Sequence, residues 1–227
     1  MIKLTSLLVL TAALSSANTI SWMTPAGSLA AGQPVNASAT VVTENGSITV
    51  ILRDLLANPT SVGQLVSDFS FTLSSTPTSA LNTTSTPSGS LIYIGGSGPL
   101  VIDPWNLTSI GAKITLESLN SSGPSQVIIG PGPYTNANGS IDGNGAHNPF
   151  LDQTATFTFS VAGITADTSV TGATFGFGTT RDASLVPGIC SDCDGVRTTG
   201  EVPEPWSAFL IGGGLLAVGI LGKFRRA

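Results

Sequence analysis

The feature that most constrains the fold is an alternation, with a period of two, of apolar and small polar residues. Segments 37–43 (Ala-Ser-Ala-Thr-Val-Val-Thr) and 47–53 (Ser-Ile-Thr-Val-Ile-Leu-Arg) follow this pattern. A period of two is the spacing of side chains on one face of a β-strand. Glu44-Asn45-Gly46 lies between the two segments, and Asn-Gly is the strongest short hairpin signal. The sequence therefore predicts an antiparallel hairpin here.

The same alternation recurs further along the chain. Phe69 and Phe71, like Phe157 and Phe159, alternate with Ser or Thr, so all four rings are predicted to face a core. With Gly, Pro and Asn between the segments, about eight strands predict an all-β chain, an antiparallel β-sandwich of jelly-roll type. The further predicted strands are 69–73, 91–94, 113–116, 127–129, 155–161 and 169–177.

One short helical turn is predicted between the second and third strands. It runs from Ser61 to Val66 and follows Pro59. Thr60 or Ser61 would cap it, because a hydroxyl oxygen accepts a hydrogen bond from the amide groups that a helix leaves free at its start.

The first 17 residues have the three parts of a secretory signal peptide. Lys3 gives a positive start, residues 4–14 are an apolar run, and Ser15 and Ala17 are small residues at the −3 and −1 positions. The run is too short for a membrane-spanning helix, which needs about 20 residues. The sequence predicts cleavage after Ala17 and an exported domain over residues 18–201.

The end of the chain predicts a membrane segment. Residues 206–222 carry no charge, and 17 residues at about 1.5 Å each reach about 25 Å, slightly less than the ~30 Å hydrocarbon layer. Lys223, Arg225 and Arg226 follow directly, and such a cluster stays on the cytoplasmic side. We therefore expect one transmembrane helix over 206–222 and a basic cytoplasmic end over 223–227.

A proline-rich stretch precedes this helix. Pro203 and Pro205 hold Val202 and Glu204 in extended conformations, so the four residues stay unwound and accessible to a processing enzyme. The alternative is a plain C-terminal anchor with a proline-rich linker.

Residues 202–227 resemble the tripartite sorting signal of PEP-CTERM proteins. In that family an integral-membrane exosortase, a cysteine protease-transpeptidase, is thought to recognise the Pro-Glu-Pro motif and remove the helix. The resemblance implies that Val202, Pro203, Glu204 and Pro205 are the motif. The rival GlyGly-CTERM signal has its glycines ahead of the helix, whereas the glycines at 212–214 lie within it.

This tail is also labelled an ice-binding protein C-terminal domain, a label that implies no ice binding. The body of the chain resembles exported proteins that commonly carry such a tail, which implies a common β-fold and export but no activity. The similar segments are 57–65, 128–132, 134–141, 147–150 and 174–179.

The charge balance excludes a basic nucleic-acid-binding surface. Between residues 18 and 201 there are four basic residues against twelve acidic ones, a balance of −8. Nucleic-acid-binding domains instead carry clustered Lys and Arg. The basic residues of this segment are Arg53, Lys113, Arg181 and Arg197.

Cys190 and Cys193 form a single CxxC. Structural zinc needs four ligands and no second pair exists, while thioredoxin-like chemistry needs a βαβ setting that the strand pattern does not provide. In an oxidising exported compartment a short disulfide between the two is expected, and free or intermolecular thiols are the alternative.

No catalytic residue, metal site or cofactor is predicted. His147 is the only histidine and lies in a Gly/Asn/Pro-rich loop without a nucleophile motif, so a loop-ordering hydrogen bond is expected for it. Loop 136–152 carries oxygen side chains of the kind that Ca²⁺ accepts, but Asx turns explain them more simply. Sequence spacing selects no pair among the twelve carboxylates for glycoside hydrolysis.

These features lead to a ranked set of functional hypotheses. The first is a non-enzymatic surface or matrix protein, held transiently in the membrane, processed by an exosortase-type enzyme and associated with exopolysaccharide or biofilm. The alternative is a carbohydrate-binding or adhesive module delivered by the same route, although only Trp22 and Trp105 lie outside the tail as possible aromatic platforms. An enzyme such as a glycoside hydrolase ranks third.

Overall fold

The structure is a computed structural model that describes residues 17–120, 123–124 and 126–193. The chain divides into two units, Met1–Asp192 and Cys193–Ala227, and every strand described below belongs to the first. The leader through residue 16, the domain boundary after 201 and the whole tail, 202–227, lie outside the described residues. Among the described residues, no helix has the length and apolar character needed to cross a membrane.

The described chain is all-β, with one helical turn. The strands are β1 (Asn18–Met23), β2 (Leu29–Ala30), β3 (Gln33–Pro34), β4 (Ala37–Glu44), β5 (Ser47–Asp54), β6 (Val66–Leu73), β7 (Asn82–Ser85), β8 (Leu91–Ile92), β9 (Trp105–Ile110), β10 (Lys113–Glu117), β11 (Leu119–Asn120), β12 (Gly123–Pro124), β13 (Ile128–Ile129), β14 (Phe150–Asp152), β15 (Thr154–Ser160), β16 (Val170–Phe177), β17 (Leu185–Pro187) and β18 (Ile189–Cys190).

The first main sheet contains the predicted hairpin. Within the described residues its order is β15-β5-β4-β1-β18, and all its pairs are antiparallel. Glu44 pairs with Ser47, which leaves Asn45 and Gly46 as the turn. Gly46 has φ +77°, a conformation that a residue without Cβ adopts at little cost. The hairpin prediction is confirmed.

The second main sheet is built around β6. Over the described residues its path is β7-β9-β10-β6-β13-β14-β8, and β16 pairs with β6 and with β17. The β13–β14 pair is parallel, which the expectation of a purely antiparallel fold did not include. Parallel neighbours need a connection of about a dozen residues or more, and the chain supplies residues 130–149 between these two strands.

Both main sheets contribute to one hydrophobic core. Phe69 and Phe71 of β6 are 0% and 1% exposed, and Phe157 and Phe159 of β15 are 0% and 9% exposed, so their predicted core positions are confirmed. The Phe157 ring lies 5.0 Å from that of Trp105 in β9, centroid to centroid. Aromatic contact thus joins the two sheets.

A smaller apolar cluster lies beside this core. It contains Val62, Leu65, Ile94, Val127, Ile129, Ile141 and Phe150. The helical turn that contributes Val62 is a 3₁₀ turn over Val62–Gln64 with Ser61 as N-cap. It is shorter than the predicted 61–66 because Leu65 is already extended, with ψ 143°, and leads into β6.

Two substitutions on β15 test this assignment of faces. We expect Phe157→Ala to lower the free energy of unfolding by about 3–5 kcal/mol, because it removes a fully buried ring and leaves a cavity. Thr158→Ala, the next residue but on the exposed face, should cost less than about 1 kcal/mol. Urea denaturation of both variants provides the comparison, and equal losses would contradict the assignment.

Candidate functional site

Both cysteines of the chain lie within the described residues. Cys190 is the last residue of β18, where it pairs with Trp22 of β1. Cys190 and Cys193 are both disulfide-bonded, and because the chain has two cysteines in all, they are bonded to each other. The half-buried Cys190 packs against the main core.

His147 orders a loop. Its Nδ1 lies 2.7 Å from the carbonyl oxygen of Ser140, which is the kind of hydrogen bond expected from the sequence. In the same loop the Asn138 Oδ1 accepts from the amide of Ser140 at 2.8 Å, and the Asn144 Oδ1 accepts from the amide of Ala146 at 3.0 Å. These are Asx turns.

Two of the oxygens considered as calcium ligands, those of Asn138 and Asn144, are therefore engaged in ordering their own loop. Asn148 belongs to the same network, since its Oδ1 accepts from the amide of Ile94 at 2.9 Å and its Nδ2 donates to Ile141 O at 3.1 Å. Within the described ranges no group of three or more His, Cys, Asp or Glu side chains is placed to hold a metal ion.

The aromatic residues do not form a platform on the described surface. Trp22 and Trp105 are 7% and 0% exposed. The two tyrosines are half-buried, and their hydroxyls donate to carbonyl oxygens, Tyr93 to Pro99 at 3.1 Å and Tyr134 to Gly130 at 2.9 Å. Sugar rings usually stack on exposed aromatic faces, so the described residues lack that means of binding glycans.

The structure brings together two carboxylate residues that the sequence did not pair, with an asparagine and a glycine beside them. Across the outer side of the second sheet, strand pairing sets Glu117 of β10 beside Asp68 of β6, with Asn106 of β9 and Gly176 of β16 at the two ends. Opposite residues of neighbouring strands have Cβ atoms about 4.5–5.5 Å apart. We call these four residues the carboxylate row.

A loop closes over this row. The loop 178–184 joins β16 to β17, and its Arg181 donates from Nε to Glu117 Oε1 and from Nη2 to Leu119 O, the latter at 3.0 Å. The hydrogen bond and charge of Glu117 raise the pKa of Arg181. Because the Arg181 side chain is 58% exposed, solvent screens much of the ion pair.

Within the carboxylate row, Asp68 is the residue whose pKa is raised. Although it lies on the outer side of the sheet, it is 6% exposed. Burial raises its pKa to about 7, the charges of Glu117 and Asp182 add to the rise, and those of Lys113 and Arg181 oppose it. Gly176 is required beside it, since an added Cβ would lie 2.6 Å from Asp68 Cβ.

Two adjacent carboxyl groups, one with a pKa near neutrality, are the components of general acid–base chemistry. Here Glu117 is held by Arg181 and is 9% exposed, and Asp68 is 6% exposed. Neither group is presented to a substrate in this arrangement, so we interpret the carboxylate row as an electrostatic element of the fold. Sequence reasoning missed it because the partners come from strands about 50 residues apart.

A second buried carboxyl lies at the end of β5. Asp54 is 1% exposed, its Oδ1 accepts from the amide of Leu56 at 3.0 Å, and its Oδ2 has no hydrogen-bond partner among the described residues. Burial raises the pKa of Asp54 well above its usual range, although the amides of Leu56, Gly130 and Val66 oppose the rise. The group thus connects β5 to loop 130–149 and to β6.

The contact between Asp54 and the amide of Gly130 fixes the start of loop 130–149. A Cβ on Gly130 would lie 2.1 Å from Leu56 O, so glycine is required there. The nearby Tyr134 has its pKa raised to about 12, first by burial and then by the charges of Asp152 and Asp54. From the sequence, segment 128–132 stands out only for its resemblance to other exported proteins.

Comparison of the chain with protein-family models, with curated proteins and with solved structures finds no match.

Replacing Asp68 by Asn tests the raised pKa. The pKa of Asp68 is about 7 in the folded protein and 3.8 in the unfolded chain, so the folded state binds the proton more tightly. This stabilises the fold fully below pH 3.8, and the stabilisation is lost as the pH rises to about 7. Between about pH 4 and pH 8, we expect the parent's free energy of unfolding to fall by on the order of 3–4 kcal/mol more than that of Asp68→Asn.

Urea denaturation across this pH range measures the difference. The matched control is Asp167→Asn, which replaces an exposed carboxylate in the loop after β15 and should keep the parent's pH profile. Parallel profiles for the parent and Asp68→Asn would show that burial does not perturb this group.

Proposed function

We propose that this chain is an exported, non-enzymatic surface or extracellular-matrix protein. A leader over residues 1–17 directs export, residues 18–201 form the exported domain, and the tail 202–227 holds it transiently as a single-pass membrane protein. An exosortase-type enzyme then removes the helix, and the mature protein associates with exopolysaccharide or biofilm at the cell surface.

One observation carries this proposal, namely the order of features in the tail. An extended Val202-Pro203-Glu204-Pro205, an uncharged stretch of 17 residues from 206 to 222 and a terminal basic cluster follow one another without a gap. A simple anchor needs only the last two. The proline-flanked carboxylate is therefore the part that requires a further explanation, and recognition by a processing enzyme provides it.

The described domain supports the proposal in two ways. Two main sheets that share one core support an antiparallel β-sandwich, for which we propose jelly-roll connectivity. The outer face of the first sheet also carries short hydroxyl side chains, with Thr49 Oγ1 3.1 Å from Thr158 Oγ1 and Ser21 Oγ 3.4 Å from Thr40 Oγ1. Such a surface is suited to a hydrated matrix.

The alternative, a carbohydrate-binding or adhesive module, gains no support from the described aromatic residues because Trp22 and Trp105 are buried. Glycan-array binding by the purified exported protein would nevertheless establish it, and hydrolysis of a glycan by the same sample would establish an enzyme.

Replacing Pro203-Glu204-Pro205 with three alanines tests the sorting signal. The substitution leaves residues 206–222 and the basic end intact, so insertion should persist while processing fails. We expect unprocessed protein to accumulate in the membrane, whereas the parent ends near 202–205. Mass spectrometry of the C-terminus, in cells with and without an exosortase, gives the result.

The matched control replaces Thr198-Thr199-Gly200 with three alanines, which alters the same number of residues just before the motif. It should be processed like the parent. Mature surface protein that still ends at Ala227 would leave the plain anchor as the explanation of the tail.

The topology is tested with two reporter fusions. A reporter after Ala227 should remain cytoplasmic before processing, and one inserted after Gly195 should be exported, because the leader and the basic cluster impose the same orientation. Protease added to spheroplasts should digest only the second reporter. Protection of both would contradict export of the domain.

A further inference from the structure

The first strand of the domain begins at the predicted cleavage site. Cleavage is expected between Ala17 and Asn18, and β1 starts at Asn18. All six residues of β1 pair with β4, from Asn18 opposite Thr43 to Met23 opposite Ser38. No linker residue separates the leader from the sheet.

Asn18 is fixed by its side chain as well as by its backbone. Its Nδ2 donates to the carbonyl oxygen of Thr168 at 3.2 Å. Thr43, which is 1% exposed, donates from Oγ1 to the same Thr168 oxygen at 2.6 Å and lies 3.5 Å from Asn18 O. The residue that follows the predicted scissile bond is therefore held at two points.

A protease that cleaves after Ala17 must bind residues on both sides of the bond. Clefts that bind extended peptides do so through main-chain hydrogen bonds, and cleavage of folded proteins concentrates in exposed segments that are free of such bonds. Here the main chain of Asn18, Thr19 and Ile20 lies in register with β4. The sheet and the protease cleft compete for the same stretch of backbone.

We propose that folding of β1 into the sheet closes the leader cleavage site, so that the leader must be removed before β1 pairs with β4. The inference rests on the leader that the proposed function includes. It assigns an order to maturation in which hydrolysis of the Ala17–Asn18 peptide bond precedes completion of the first sheet.

The last described strand, β18, is the neighbour of β1 in the first sheet. β18 pairs only with β1 among the described strands, with Cys190 opposite Trp22 and Ile189 opposite Met23. The amide of Ser191 also donates to Ser21 O at 3.0 Å. Because β18 pairs with β1, this pairing requires β1 to be in the sheet.

The two predicted processing sites differ in the number of residues between them and the described strands. Residues 194–201 separate Cys193 from Val202, and eight residues can span up to about 26–29 Å when extended. The leader site has no such spacer. We therefore expect folding of the domain to slow removal of the leader and to leave processing of the tail unaffected.

The experiment compares two orders of addition. Full-length precursor with its leader is unfolded, diluted into detergent, and given purified leader peptidase either at once or after refolding is complete. We expect cleavage of the parent to be about tenfold slower or more in the second case, since it then requires opening of β1. The rates are measured by gel mobility and N-terminal sequencing.

A spacer variant provides the matched control. Asn followed by seven Gly and Ser residues is inserted between Ala17 and Asn18, which keeps the residues at −3, −1 and +1 unchanged. This variant should be cleaved at the same rate in both orders. Thr43→Val removes the hydroxyl that contacts Asn18 O and bonds to the same Thr168 oxygen as Asn18 Nδ2, so this variant should be cleaved faster than the parent after refolding.

The outcomes separate the two proposals. If the parent is cleaved equally fast in both orders, the leader is real but the ordering is wrong. If neither parent nor spacer variant is cleaved in either order, the leader assignment in the proposed function is wrong and the ordering is wrong with it. Slow cleavage of the refolded spacer variant would also overturn the ordering, since its site lies outside the sheet.

Discussion

Burial of alternating apolar residues between two sheets is the interaction on which the rest of the structure depends. Phe157 of the first sheet and Phe71 of the second are almost completely buried in the same cluster, and burying a side chain of this size stabilises a fold by roughly 1.5–3 kcal/mol. Because side chains alternate along a strand, burial of one face fixes the direction of the other. The polar outer faces are therefore a consequence of the core.

Two carboxyl groups depart from this division, and both mark places where segments distant in sequence meet. Asp54 lies on the buried face of β5, where it contacts the backbone at the start of loop 130–149. Asp68 lies on the outer face of β6 but is covered by the strands beside it and by loop 178–184. Both have raised pKa values because burial disfavours the charged form. At both places, ionisation of the buried carboxyl group lowers the stability of the fold.

The ends of the domain connect the fold to the proposed function. The first and last described strands, β1 and β18, are neighbours at one edge of the first sheet. An exported protein with a signal at each end would need that edge to form in step with removal of its leader. β1 begins directly after the predicted cleavage site, whereas the eight residues 194–201 lie between Cys193 and the predicted sorting motif, so the two ends place different requirements on processing.

The sequence by itself determined the all-β class, the β4–β5 hairpin, the core positions of four phenylalanines, the loop-ordering hydrogen bond of His147 and the Asx turns of its loop, because each depends on local periodicity or on contacts within a few residues. Its assignments for the tail rest on sequence alone. The tertiary structure decided what depends on distant pairing, including the strands β1, β9 and β18, the parallel β13–β14 pair and the burial of Asp68. The physical reason is that register between remote strands, and the covering of an outer face by a loop, leave no periodic signal in either segment.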